Sequence, residues 1–266
     1  MSRLQGVSDT LFIPLVARIS VSKEFSEYFF DEKALPLEKY IPDDTIQKRS
    51  SEYSLLASVA RYYNLDSMVK AFIKKNGKSN IVYLGTGFET AYYRLNERIA
   101  TFYEIDLPDV IAARRTILGE HTNERLIAAN IFDMEWTKQI DKSIPTLLVA
   151  SGVFQYFKEN RVIQFINDVR KTFSNIELIF DATNETGIKY ANKYVKKTGN
   201  IDAFMYFYIN DSIEFSKITE TELIEERVFF TDARKILAKK LGLYTRIAMK
   251  VVDDKKRAVL LHLGIN

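Results

Sequence analysis

From residue 80 to residue 181 the chain alternates between two textures. Five short apolar runs, Ile81–Leu84, Thr101–Asp106, Arg125–Ala129, Thr146–Ala150 and Ile176–Asp181, are separated by helical stretches starting near Glu89, Pro108, Met134 and Glu159. The runs are apolar along their length, not at every second residue. Strands of that kind are covered on both faces, as in a parallel sheet with helices on each side. The alternation restricts this part of the chain to an α/β fold.

The flanks read differently. Over residues 9–75, Leu55, Leu56, Val59, Tyr62, Tyr63, Met68, Val69, Phe72 and Ile73 recur at helical spacing. A break is expected at Asn64, and an end at Asn76-Gly77. At the other end, "LYTRIAMKVV", the polar stretch Asp253–Lys256 and "RAVLLHLGI" read as two antiparallel strands joined by a four-residue turn. The expected organisation is a helical lid over 1–79 and an α/β core over 80–266. Residues 187–230 would be an insertion shaping a second binding site.

Bulk properties exclude several functions. The net charge is only +3, with basic and acidic residues interleaved, so no nucleic-acid partner is expected. The absence of cysteine removes disulfides, thiolate metal sites and a cysteine nucleophile. The two histidines, His121 and His262, lie far apart with no carboxylate at ligand spacing. Neither a metal site nor a Ser-His-Asp triad is expected. The apolar run near the start is interrupted by Pro14, ended by Arg18, and too short to span a bilayer. A cytoplasmic chain with no membrane partner is the expectation.

The first strand stops on Gly85-Thr86-Gly87 and turns into a helix. Glycine permits so tight a turn and lets a ligand approach the backbone. The helix that follows offers amide groups to polar or negative ligand atoms. Asp106 ends the second strand, 19 residues after Gly87. An acid at that position is placed to grip a ribose diol. The dinucleotide fingerprint requires a third glycine where this chain has Thr90, which argues against NAD and FAD. An adenosine-type cofactor is therefore favoured.

Four blocks in order, "NIVYLGTGFETAYYRL", "FYEIDLPDVIAARR", "AANIFDMEW" and "LLVASGVFQYF", resemble the leucine carboxyl methyltransferase family, including its bacterial polyketide-type O-methyltransferases. The likeness runs from about residue 9 to about 181. It implies a Rossmann-like class I methyltransferase fold, with a mostly parallel seven-stranded sheet ending in an antiparallel hairpin. The implied cofactor is S-adenosyl-L-methionine. Gly85, Thr86 and Gly87 would line its methionine end and Asp106 would take its ribose. Asn130 and Ile131 stand where the family often has Asp-Leu beside adenine. Asp133 matches the second acid of that block, where a loop or helix-cap role is preferred. Arg61 maps to an arginine that would pair with the cofactor carboxylate, with Arg49 a weaker competitor. Thr10 and Arg18 would sit at the mouth of an N-terminal lid. Where the protein-carboxyl branch carries a glutamate touching the methionine part, this chain has Ser151. That departure favours a small-molecule acceptor over a protein chain end.

No catalytic base is assigned, since neither histidine follows a strand tip. Transfer would be driven by proximity to a carboxylate or phenolic acceptor, with Tyr156 a candidate pocket residue. The run Phe204–Tyr208 reads either as an aromatic acceptor pocket or as core packing, the latter preferred. A protein C-terminal carboxyl methyltransferase and a catalytically inactive cofactor-binding module are the alternatives. The oligomeric state stays open.

Overall fold

The computed structural model describes residues 11–198 and 204–266. The helical segment comprises α1 (Phe12–Glu24), α2 (Thr45–Arg49) and α3 (Glu52–Asn76). The alternating part follows as β1 (Asn80–Leu84), α4 (Ala91–Leu95), β2 (Thr101–Asp106), α5 (Pro108–Leu118), β3 (Glu124–Ala128), β4 (Thr146–Ala150), α6 (Glu159–Thr172) and β5 (Ile176–Thr183). The last third contains α7 (Glu185–Thr198), α8 (Ser212–Ile218), β6 (Glu222–Val228), α9 (Thr231–Ile236), α10 (Leu243–Asp254) and β7 (Ala258–Ile265).

The seven strands form one sheet in the order β3-β2-β1-β4-β5-β7-β6. The five strands β1 to β5 run parallel, and β7 is antiparallel to both β5 and β6. The continuous apolar runs have a simple cause. Successive residues of a strand face opposite sides, and both sides are covered. Ile81 and Tyr83 pack with α1 and α3, whereas Val82 and Leu84 pack with α6 residues such as Phe165. Because β1 lies between β2 and β4, the connections leaving it part to opposite sides. Such a switch point opens a crevice at the carboxyl ends of the strands.

Helix α3 starts at a reciprocal cap. The Ser54 N–H donates to Ser51 Oγ, and the Ser51 N–H donates to Ser54 Oγ. It ends at Gly77, whose φ of +68° suits glycine. The helix does not break at Asn64. That side-chain amide donates to the carbonyls of Ala60 and Phe229, so it ties α3 to the residues after β6. The stretch near Met134 forms only two short 3-10 turns, Ile131–Asp133 and Glu135–Gln139, in place of a helix.

The antiparallel end of the sheet is present, but its edge strand is not the one expected. Residues 243–254 are helical, and β7 pairs instead with 222–228. Within "LYTRIAMKVVDD", Thr245, Met249 and Asp253 are buried at four-residue spacing, which is helical periodicity. Asp253 then accepts the Phe230 N–H at 3.0 Å, fixing α10 to the turn before α9. Strand β6 carries four charged residues among seven. Charge of that kind suits an exposed sheet edge and hides the strand from an apolar search. No helix among the described residues is long and apolar enough to cross a membrane.

Candidate active site

The glycine loop sits at the tip of β1. Gly85 and Gly87 have φ of +60° and +53°, a region open to glycine at no steric cost. A Cβ on Gly85 would stand 2.8 Å from Val153 Cγ2, and one on Gly87 would stand 3.0 Å from Leu11 Cδ2. The loop is thus a backbone surface bordered by the turn after β4 and by the residue leading into α1. Thr86 turns its hydroxyl inward to the Glu104 carboxylate and leaves only its backbone at the loop surface.

Asp106 ends β2 beside this loop. Its Oδ2 accepts the Gly87 N–H at 2.8 Å and its Oδ1 accepts the Leu107 N–H at 2.7 Å. Burial raises its pKa above the usual carboxylate value, against those two amide donors and Arg114. Each carboxylate oxygen has a second lone pair. The carboxylate therefore retains acceptor capacity toward a ligand after both backbone bonds are made.

Below the loop lies buried charge. Arg114 donates to the carbonyls of Gly87 and Glu89 and pairs with Glu104 and Glu124. A second cluster ties the helical segment to the loop. Arg18 reaches Asp31 at 2.7 Å and the Phe88 carbonyl at 2.6 Å. Thr90 donates to the same Asp31, and Arg94 bridges Asp31, Glu89 and Asp66. Burial pushes the Asp31 carboxyl up, but Arg18 and Arg94 outweigh it and hold it down at about 2. Arg18 therefore corrects the expectation of a residue at an open mouth: it is buried and clamps α1 to the loop. Thr90 has its hydroxyl in the same cluster, at the position of the missing third glycine. Thr10 lies outside the described residues.

The other side of the crevice is built by β4, β5 and α3. Ser151 follows β4, and its Oγ is buried without a hydrogen-bond partner among the described residues. Gly152 has φ of +68°, and a Cβ there would stand 2.8 Å from Arg61 Nη1. Arg61 therefore lies against the turn that follows Ser151, while Arg49 is exposed on α2. Arg61 Nη1 pairs with Asp181 Oδ2 at 3.2 Å, and the Gly152 N–H donates to Asp181 Oδ1 at 2.5 Å. Arg61 Nε is buried and has no hydrogen-bond partner among the described residues. Sequence reasoning passed over Asp181. The available signal was an acid directly after the apolar run Leu178–Phe180 of the fifth strand.

The remaining residues divide. Asn130 is exposed after β3, and its side-chain oxygen accepts the Phe132 N–H at 3.0 Å. Its amide NH2 makes no bond among the described residues and is the group left for a ligand. Ile131 is buried in the core, and its carbonyl accepts from Trp136 Nε1. Asp133 is exposed. Tyr156 is half-buried in a 3-10 turn after β4, next to Gln155, whose carbonyl accepts the Tyr206 N–H at 2.7 Å. In the aromatic run, Phe207 packs in the core with Phe180 and Phe215, whereas Tyr206 and Tyr208 are exposed. His262 contacts Glu177 near the opposite end of β5, and His121 contacts Tyr93. Neither histidine reaches the crevice.

The family description leucine carboxyl methyltransferase matches residues 9–170. The tetracenomycin polyketide synthesis O-methyltransferase TcmP of Streptomyces glaucescens is 24% identical over 200 residues, covering 74% of each chain. Among solved structures, a DUF574-family protein of Streptomyces avermitilis has a TM-score of 0.59 at 12% identity, covering 93% of this chain and 95% of its own. An S-adenosylmethionine-dependent methyltransferase of Mesorhizobium loti has a TM-score of 0.54 at 16% identity, covering 79% and 99%. Magnesium protoporphyrin IX methyltransferase of Synechocystis has a TM-score of 0.52 at 10% identity, covering 96% and 100%. The shared fold is that of class I methyltransferases.

Proposed function

The chain belongs to the leucine carboxyl methyltransferase family, whose methyl donor is S-adenosylmethionine, and we propose that it methylates a carboxylate or phenolic oxygen of a small molecule. The observation that carries this reading is the bond from the Gly87 N–H to the Asp106 carboxylate. It joins a bare backbone cradle to an acid with acceptor capacity left over, at the switch point of the sheet.

The residues present fit the donor. Asp106 would accept the two ribose hydroxyls. The backbone of Gly85 to Gly87 would line the chain that leads to the sulfur. Arg61, whose Nε has no hydrogen-bond partner among the described residues, would meet the carboxylate through charge-assisted bonds. Asn130, whose oxygen is occupied, would donate its amide NH2 to an adenine ring nitrogen. Ile131 would border the ring as part of the adjoining core. The cofactor supplies a methyl group on a sulfonium, already activated for displacement.

What the protein adds is placement. A carboxylate acceptor is ionised at neutral pH and needs no base, whereas a phenol with a pKa near 10 gains from one. The absence of histidine from the crevice supports a carboxylate, or a phenol moved by proximity alone. The helical N-terminal segment, described from residue 11 to 79, would cover the site, consistent with Leu11 lying over Gly87. Tyr156 and the part of residues 187–230 before β6 would shape the acceptor side; 199–203 lie outside the described residues, and 222–228 belong to the sheet as its edge strand. The relative TcmP is named for O-methylation in polyketide synthesis, and Ser151 departs from the protein-carboxyl pattern. Both favour a small acceptor.

Transfer of labelled methyl from S-adenosylmethionine to panels of aromatic acids and phenols tests the reading. A carboxyl product releases methanol in base; a phenol ether does not. Label appearing only on the C-terminus of a protein, or only on nitrogen, would overturn it.

A further inference from the structure

The tip of β4 carries no charge. Ser151 stands where the resemblance places a glutamate in the protein-carboxyl branch, and its buried Oγ has no hydrogen-bond partner among the described residues. The neighbouring strand has an acid at the matching height. Ala150 of β4 is in register with Phe180 of β5, so Asp181 follows Phe180 as Ser151 follows Ala150. The Asp181 carboxylate is turned toward β4. It accepts the Gly152 N–H through Oδ1 and holds Arg61 through Oδ2.

Packing alone accounts poorly for this pair. Placing two charges nearly out of water is costly, and the expense is recovered only when the remaining donors and acceptors are satisfied. Here they are not: Arg61 Nε and Ser151 Oγ are both buried without hydrogen-bond partners among the described residues. An α-amino acid group supplies what is missing. Its carboxylate complements the guanidinium, its ammonium complements the carboxylate, and its polar atoms give Ser151 Oγ a partner.

Resting on the cofactor reading above, we propose that Arg61 and Asp181 form a clamp for the zwitterionic amino-acid end of the methyl donor. In this clamp Asp181 takes the α-ammonium, the role the glutamate of the protein-carboxyl branch would fill from the position of Ser151. The acid lies one strand along the sheet and serves the turn Ser151-Gly152 from there. Asp181 is then a binding residue and not the base that deprotonates the acceptor.

The test uses S-adenosylhomocysteine beside its analogue lacking the α-amino group. Both are titrated into wild type, Asp181→Asn, and Asp181→Asn combined with Ser151→Glu. Asparagine keeps the size of the side chain and an acceptor for the Gly152 N–H. The single variant should bind S-adenosylhomocysteine about 10- to 100-fold more weakly. Its affinity for the deaminated analogue should change less than about threefold. Returning a carboxylate to the tip of β4 in the double variant should recover most of the lost affinity. Equal losses for both ligands, or no loss for either, would overturn the clamp. So would unchanged binding with methyl transfer abolished, which would assign Asp181 to the acceptor. These outcomes leave the cofactor reading intact, because wild type still binds S-adenosylhomocysteine. Failure of wild type to bind it would overturn the cofactor reading and the clamp together.

Discussion

Replacing Asp106 with asparagine separates a ribose-binding acid from one that merely organises a loop. In the wild type each carboxylate oxygen is committed to one backbone amide, Gly87 at 2.8 Å and Leu107 at 2.7 Å. Each has a lone pair left, and a ribose diol would use both. Asparagine keeps the shape but removes the charge and turns one oxygen into a donor. Two effects follow, and they are measured apart. Without ligand, one backbone N–H faces a donor and loses its partner, which should cost roughly 1–3 kcal/mol of stability. With ligand, the loss of a charged hydrogen bond should cost a further 1.5–3 kcal/mol or so. That corresponds to about a 10- to 150-fold rise in the Kd for S-adenosylhomocysteine. Thermal unfolding reads the first effect and calorimetric titration the second. The analogue lacking the ribose 2′-hydroxyl should lose less affinity in the variant than the complete ligand does. A folded Asp106→Asn protein with wild-type affinity would refute the ribose assignment. Asp106 would then only brace the glycine loop and the start of α5.

Arg61→Ala should weaken S-adenosylhomocysteine more than adenosine, by about tenfold or more. Equal losses by titration would mean that Arg61 does not read the amino-acid end. A third prediction concerns pH. Burial first, with help from Glu124 and against Arg114 and Thr86, pushes the Glu104 carboxyl up from 4.5 to about 7. Between those values the folded state holds a proton that the unfolded state has released, so this group's stability contribution is lost as pH rises through the window. Glutamine at 104 cannot ionise and escapes that loss. Glu104→Gln should therefore gain on wild type between pH 4.5 and pH 8, by at most about 3 kcal/mol. Urea unfolding at both pH values measures it, and a pH-independent difference between the two proteins would refute it.

The central strands and the glycine loop were legible because their signals are local. β1 to β5 each have an apolar stretch of ordinary strand length, and Gly85 and Gly87 announce a turn that only the backbone can make. Asp106 was legible for the same reason, standing at a fixed distance along the next strand. What was hidden depends on distant partners. The stretch 243–252 offers apolar and β-branched residues that suit a strand. What selects the helix is burial of Thr245, Met249 and Asp253 against elements far away in sequence. Strand β6 carries its charges into an edge position, where exposure tolerates them. Arg18 gave no sign that it would be buried, because its partners come from Asp31, Phe88 and Thr90. Asp181 required the register between β4 and β5 to be known before its approach to Gly152 could be seen.

The central claim is that the crevice at the tips of β1, β2 and β4 holds S-adenosylmethionine. Calorimetric titration of the purified protein with S-adenosylhomocysteine, with NADH run alongside, tests it most directly. The account predicts saturable binding of S-adenosylhomocysteine at one site per chain and no heat of binding from NADH. Binding of NADH, or of neither compound, would contradict it.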